Sequence, residues 1–310
     1  MRHTMLAAGL LIGLAAATAR ASEPASCKVV RFSDIGWADV AATTAVASLI
    51  LKDLGYTPKI IELTVPATYQ SMKTKDLDVF LGNWMPGMEA DRKPFVDDKS
   101  VDVLGANLQG AKFTLAVPQY TYDKGLHDFA DIARYGKELG WKIYGIEPGN
   151  DGNQHVLDLI KDAKLGLDKF QLVETSEQGM LSELDKAYRG KKPIVFIGWQ
   201  PHPMNRNFKI AYLTGGDDSF GPNYGGATVY TNLRGGYAAE CPNVGKLLAN
   251  LRFDLAGEDA MMDAILDKKQ DPGKAALAWL RGHKEVLKVW LDGVTTSDGK
   301  PGLPAVAAKL

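Results

Sequence analysis

The chain has 310 residues, 45% of them hydrophobic and 24% charged, enough apolar material for a packed core and too much for a disordered polymer. Its 36 Lys and Arg almost balance 37 Asp and Glu, and no long basic run occurs. A chain so balanced lacks the field that a nucleic acid or an acidic membrane surface requires of its partner.

The first segment reads as an export signal. Arg2 and His3 precede an apolar run from Met5 to Ala19, and Ala19-Arg20-Ala21 fits a small-x-small cleavage site, which gives residues 1–21 as a signal peptide. The run falls short of the roughly 20 residues of a membrane span. A lipid anchor on Cys27 is disfavoured by Pro24, which stands where a lipobox has leucine. Export brings the chain into an oxidising compartment, where its two cysteines, Cys27 and Cys241, form one disulfide or stay as buried thiols.

Strand-like and helix-like stretches then alternate. Lys28 to Asp34 reads as a strand, and Asp39 to Leu54 as a helix stopped by Gly55. Lys59 to Leu63, Thr68 to Thr74 and Asp78 to Leu81 repeat strand, helix, strand. Further strands are predicted at Phe113 to Val117, Lys142 to Ile146, Gln171 to Val173 and Ile194 to Ile197. Thr175 to Gln178 has the form of a capping box and opens a helix to Arg189. Asn243 to Phe253, Glu258 to Lys268 and Ala275 to Leu291 read as helices, and Gly215 to Gly226 as a loop crossing between lobes. The pattern predicts an α/β architecture with mostly parallel strands.

Three strand ends are alike: Gly36-Trp37, Gly82-Asn83-Trp84 and Gly198-Trp199 each set a tryptophan beside a glycine just past a strand. Loops at strand carboxyl ends line the ligand crevice of open α/β sheets. Trp141 stands at the other end of its strand, and Trp279 and Trp290 share a helical face, so these three read as core. An aromatic enclosure suits a quaternary ammonium, which has no N–H to hydrogen-bond, or a sugar. Asp39 either supplies charge to that crevice or caps the helix beginning there, and Asn150 either meets a ligand hydroxyl or caps the next one. His202 follows Trp199 closely but reads as a surface-loop residue, and the other histidines are scattered, without metal-ligand spacing. Neither a nucleophile elbow nor a P-loop nor a dinucleotide fingerprint is present, which points away from an enzyme and gives no cofactor.

These residues resemble the periplasmic substrate-binding proteins of ABC importers, closest to the choline binders of the quaternary-amine uptake systems. The resemblance rests on Ser33-Asp34-Ile35-Gly36-Trp37-Ala38-Asp39, Gly82-Asn83-Trp84-Met85-Pro86, Tyr144-Gly145-Ile146-Glu147-Pro148-Gly149-Asn150 and Gly198-Trp199-Gln200-Pro201-His202. It implies a two-lobed α/β binding-protein fold with the ligand in the inter-lobe cleft, a monomer without cofactor or metal, and an importer permease as partner. It further implies an aromatic box of Trp37, Trp84 and Trp199, with Asp39 and Asn150 as polar contacts and Cys27 paired to Cys241. The fourth wall, a tyrosine in the relatives, falls on Phe113, with Tyr120 and Tyr122 as alternatives. The lobes implied are 22–110 with 213–310, and 111–212. Choline is the expected ligand, glycine betaine or another quaternary amine the alternative, and a periplasmic enzyme acting on choline or its esters the remote one.

Overall fold

The computed structural model describes residues 23–310; the signal segment expected at 1–21 lies outside them. Nine strands form one sheet: β1 (Val29–Asp34), β2 (Thr57–Glu62), β3 (Val79–Met85), β4 (Val101–Pro118), β5 (Lys142–Tyr144), β6 (Gln171–Val173), β7 (Phe196–Gln200), β8 (Ile210–Tyr212) and β9 (Gly226–Arg234). Their order is β2-β1-β3-β9-β4-β7-β5-β6, with β8 on β4. The expectation of mostly parallel strands fails. β1 pairs in parallel with β2 and β3, as β5 does with β6 and β7, but every pairing of β4 and β9 is antiparallel.

The reason lies in β4. The strand expected at Phe113 to Val117 is only the end of an 18-residue strand. β4 pairs with β9 from Val101 to Lys112 and with β7 from Lys112 to Ala116, so it carries the chain from the β1–β3 half of the sheet to the β5–β7 half. β9 returns it. The glycine-rich stretch before β9 contains two short helical turns, Asp217–Phe220 and Pro222–Gly225, rather than an open loop.

The principal helices are α1 (Ala38–Asp53), α2 (Val65–Lys73), α3 (Glu89–Asp97), α4 (Asp151–Lys161), α5 (Glu177–Arg189), α6 (Pro242–Asn250), α7 (Leu255–Leu266), α8 (Pro272–Gly282) and α9 (Val286–Trp290). Side-chain caps fix several of their starts. Asn150 accepts from Asn153 N at 2.8 Å, and Asp254 from Gly257 N at 2.9 Å. At α5 the cap is Ser176, which accepts from Gly179 N at 3.0 Å, one residue later than the box expected on Thr175. The single helix expected from Ala275 to Leu291 is α8 and α9 joined by a turn. That turn, not one helix face, stacks Trp279 on Trp290 with ring centroids 6.0 Å apart. Trp141 is only half-buried: it packs against the edge of the core, edge-on to the buried Phe170 and against Gly136.

Two long-range ties secure the β1–β3 half. Cys27 and Cys241 are joined in a disulfide across a sequence separation of 214. In the loop-entropy account so long a closure stabilises by about 5 kcal/mol. Close by, buried Asp78 takes Arg31 Nη2 and Arg234 Nε at 2.7 Å each, and Arg234 reaches Glu240 at 2.8 Å. Burial pushes Asp78 up, and the two guanidiniums more than offset it, so its pKa lies below the ordinary value.

Candidate ligand site

The β1–β3 half contributes two tryptophans and a carboxylate. Asp34 Oδ1 accepts from Gly36 N at 2.9 Å, and Gly36 adopts φ +84°, a left-handed turn that only glycine takes without strain. This turn delivers Trp37 to the N-cap position of α1. Asp39 therefore sits inside the first turn and is not the cap. Trp84 lies within β3, not past it, and donates from Nε1 to Asp39 Oδ2 at 3.0 Å. Gly82 has no turn to make; a β-carbon there would come within 2.4 Å of Val40 on α1, so glycine permits α1 to approach β3.

Asp39 Oδ1 is buried and without a hydrogen-bond partner. Burial, then the nearby Glu177, pushes the Asp39 pKa up to about 7, against the lowering effect of the Trp84 N–H and the helix N-terminal amides. The carboxylate is thus poised for a further partner, and a cation would favour its charged form.

The β5–β7 half supplies the other candidate residues. Phe113 on β4 and Trp199 within β7 are register partners, so both rings rise from the same face of the sheet. Phe113 meets Trp84 with centroids 6.0 Å apart and tilted by 49°. Its ring edge packs on Gly152 at the start of α4, where a β-carbon would fall 2.4 Å from Cζ. Of the alternatives to Phe113, Tyr120 is engaged with the Lys192 carbonyl at 2.8 Å and Tyr122 packs at a tilt on His127, whereas Phe113 touches Trp84. Asn150 performs its capping role next to Phe113 and donates to the Glu147 carbonyl. Trp37, Trp84, Phe113 and Trp199 are all between 3% and 5% exposed, which marks a closed arrangement.

Sequence reasoning missed the buried acids around the box. Glu147 Oε2 accepts from Trp37 Nε1 at 2.9 Å and its Oε1 from Glu177 N at 2.8 Å. Glu177 Oε2 accepts from Ala38 N at 2.9 Å and its Oε1 meets His202 Nε2 at 2.9 Å. His202 is therefore not a surface residue: it is 2% exposed, and its ring packs on Trp199 at 4.6 Å. Burial lowers its pKa to about 3 and leaves it neutral, consistent with Nδ1 accepting from Met204 N at 2.9 Å. Burial raises Glu177 to about 8, against the Ala38 N–H, and raises Glu147 as well. Glu258 on α7 is buried near Asp39 and is pushed well above its ordinary value, by burial first and by the Asp39 charge second. Arg206 does not turn to the box; it pairs with Asp259 and, at 2.7 Å, with Asp263 on α7.

A cavity of about 840 Å³ opens beside the box, lined by Trp37, Asn150, Glu147, Asp34 and Glu62 among others. Among the described residues, the group at metal-ligand spacing is Cys27, Glu240 and Cys241, whose two sulfurs are bonded to each other.

The family described as the substrate-binding domain of ABC-type glycine betaine transport systems matches residues 28–282. The chain belongs to this family. An ABC-transporter choline-binding protein solved with choline is 56% identical, with a TM-score of 0.91 over 93% of this chain and 99% of that one. Against an unliganded, semi-closed structure of an ABC-transporter choline-binding protein, also 56% identical over 92% of this chain and 99% of that one, the TM-score is 0.84. Lactococcal OpuAC, closed on glycine betaine, is 26% identical with a TM-score of 0.77 over 85% of this chain and 99% of that one. The glycine betaine/carnitine transport binding protein of Listeria monocytogenes is 31% identical over 166 residues, about half of either chain (53%). The chain thus has the two-lobed α/β fold of ABC-importer binding proteins and is a solute receptor, not an enzyme. Among the described residues no helix is long and apolar enough to cross a membrane.

Proposed function

We propose that this chain is a periplasmic receptor that captures choline between its lobes and delivers it to the permease of an ABC importer. The observation that carries the reading is the unpartnered Asp39 Oδ1, held beside Trp84 within reach of Phe113 and Trp199. A trimethylammonium group takes its binding energy from ring faces, about 2 kcal/mol or more for each desolvated contact. Asp39 adds its charge, and choline's hydroxyl finds a polar neighbour in Asn150. The similarity to a choline-binding protein captured with choline supports the same reading.

In this reading the lobes are 22–110 with 213–310, and 111–212, so Trp37, Asp39 and Trp84 belong to one, Phe113, Asn150 and Trp199 to the other. The cation completes a box whose walls separate on opening, which couples binding to closure. The closer match to the choline-bound structure than to the semi-closed one agrees with a closed form here.

Glycine betaine is the second reading, favoured by the description of the family. Calorimetric titration with choline, glycine betaine, carnitine and acetylcholine separates the two. Choline binding tightest supports the first, and a betaine preference overturns it.

A further inference from the structure

We propose that Glu147 and Glu177 are positioning residues, a buried carboxylate latch that grips Trp37 and the first turn of α1 and so sets one wall of the box as the lobes close. The proposal deepens the receptor reading and rests on it for the ligand alone.

The geometry leaves no oxygen of the pair unused. Four carboxylate oxygens meet four donors: Trp37 Nε1, Glu177 N, Ala38 N and His202 Nε2, at 2.9, 2.8, 2.9 and 2.9 Å. Two of these donors, on Trp37 and Ala38, follow β1; the acceptors follow β5 and β6. The latch thus joins the two halves of the sheet through hydrogen bonds to two buried carboxyl groups.

Each bond has a local reason. α1 has no side-chain cap of its own, since Trp37 occupies the N-cap, and the free amide of Ala38 is satisfied by Glu177. A carboxylate there also meets the positive end of the helix. His202, fixed as the Nε2–H tautomer by accepting from Met204 N, donates to Glu177 while its ring packs on Trp199. One network therefore touches both Trp37 and Trp199.

A role confined to stability would leave the indole of Trp37 indifferent to residue 147. The test compares wild type, Glu147→Gln, Trp37→Phe and the double variant, with Glu147→Ala as the harsher change. Glutamine keeps the shape of glutamate but offers one acceptor oxygen to two donors. The Trp37 indole resonance, identified by its loss in Trp37→Phe, is expected to shift and to exchange faster in Glu147→Gln, measured with and without choline. Choline affinity is expected to fall about tenfold in Glu147→Gln, the worth of one hydrogen bond to a charged group. The double variant is expected to bind no worse than Trp37→Phe alone. An indole signal unchanged in both Glu147 variants, or effects that multiply in the double variant, overturns the latch. A wild type that binds no choline but whose Trp37 signal still depends on residue 147 sinks the ligand reading and keeps the latch.

Discussion

Trp84 Nε1 donates to Asp39 Oδ2 at 3.0 Å, so this indole and this carboxylate are a single unit. The bond holds Oδ2, leaves Oδ1 buried and without a partner, and helps Asp39 keep its charge against burial. The tryptophan thereby has two separable roles, a ring face and an N–H.

Trp84→Phe separates them. It keeps an aromatic face but leaves Asp39 without its partner, and a bond to a buried charge is worth about 1.5–3 kcal/mol. Choline is expected to bind about ten- to a hundredfold more weakly, and Trp84→Ala to cost more. Trp37→Ala and Trp199→Ala are each expected to weaken binding by about thirtyfold or more, from lost ring faces. Trp141→Ala, edge-on to Phe170 and away from the candidate residues, is expected to leave affinity unchanged. Calorimetry on the folded variants decides; wild-type affinity in Trp84→Phe removes the N–H from the account.

The raised Asp39 pKa gives a pH dependence with a definite sign. Burial holds the folded, ligand-free carboxyl at about 7, far above its unfolded value, so its contribution to stability is full at acid pH and is lost as pH rises through 7. Asp151, buried with both oxygens unpartnered and raised to about 7, acts the same way, as does Glu177 at about 8. His202, near 3 when folded, and His155, also lowered by burial, act in the opposite sense below their unfolded value of about 6.5, and the three raised acids outweigh them. The melting temperature of the ligand-free protein is therefore expected to fall from pH 5 to pH 8. A bound cation favours ionised Asp39, so the increment choline adds grows over the same range, and below about pH 7 affinity falls by up to about tenfold per unit. Scanning calorimetry and titration at four pH values test both; a pH-independent affinity means Asp39 is already charged when choline arrives.

The sequence displayed what depends on residue type and chain order. Gly36 before Trp37 and the two cysteines were readable because left-handed turns and oxidised thiols restrict the residues that serve. The length of β4 was hidden, because Gly105 and Gly110 interrupt it with positive φ while pairing with β9 continues across them. The latch was hidden for a different reason. Glutamate is ordinarily exposed, and only the folded chain brings Glu147, Glu177 and His202 to within bonding distance of Trp37 and Ala38.

Gly152→Ala probes the Phe113 wall. In a helix alanine is ordinarily better than glycine by about 1 kcal/mol. Here its β-carbon would fall 2.4 Å from Phe113 Cζ and 3.1 Å from Asn150 Oδ1. Either the ring or the start of α4 must move. Choline affinity is expected to drop about tenfold or more in a protein that still folds, read by titration alongside circular dichroism; a more stable protein with unchanged affinity shows that the wall yields freely.

Reducing the disulfide isolates its contribution from that of the site. Cys27 and Cys241 lie in the β1–β3 half, and the Asp78 cluster near them makes no bond to either sulfur, so it is expected to persist on reduction. Loss of the cross-link is expected to lower stability by up to about 5 kcal/mol with little change in choline affinity. Denaturant unfolding with and without reductant measures the first, titration the second. Affinity lost in parallel with stability places the bond's influence at the box after all.

In the proposed reading, selectivity rests on the sign of one charge. Choline ends in a neutral hydroxyl and glycine betaine in a carboxylate, so ionised Asp39 attracts the cationic head of both but repels the betaine anion. At about 4 Å and an effective dielectric near 20 such a pair interacts by about 4 kcal/mol before desolvation. Arg206, the nearby candidate to neutralise a ligand carboxylate, is engaged with Asp259 and Asp263. Asp39→Asn removes both the attraction and the repulsion while still able to accept from Trp84. It is expected to weaken choline binding and to narrow the gap to betaine, the two-sided effect of a specificity charge. Titrating wild type and variant with both ligands tests this. Equal affinities in the wild type, or a preference that survives Asp39→Asn, would move selectivity from the charge to the shape of the box.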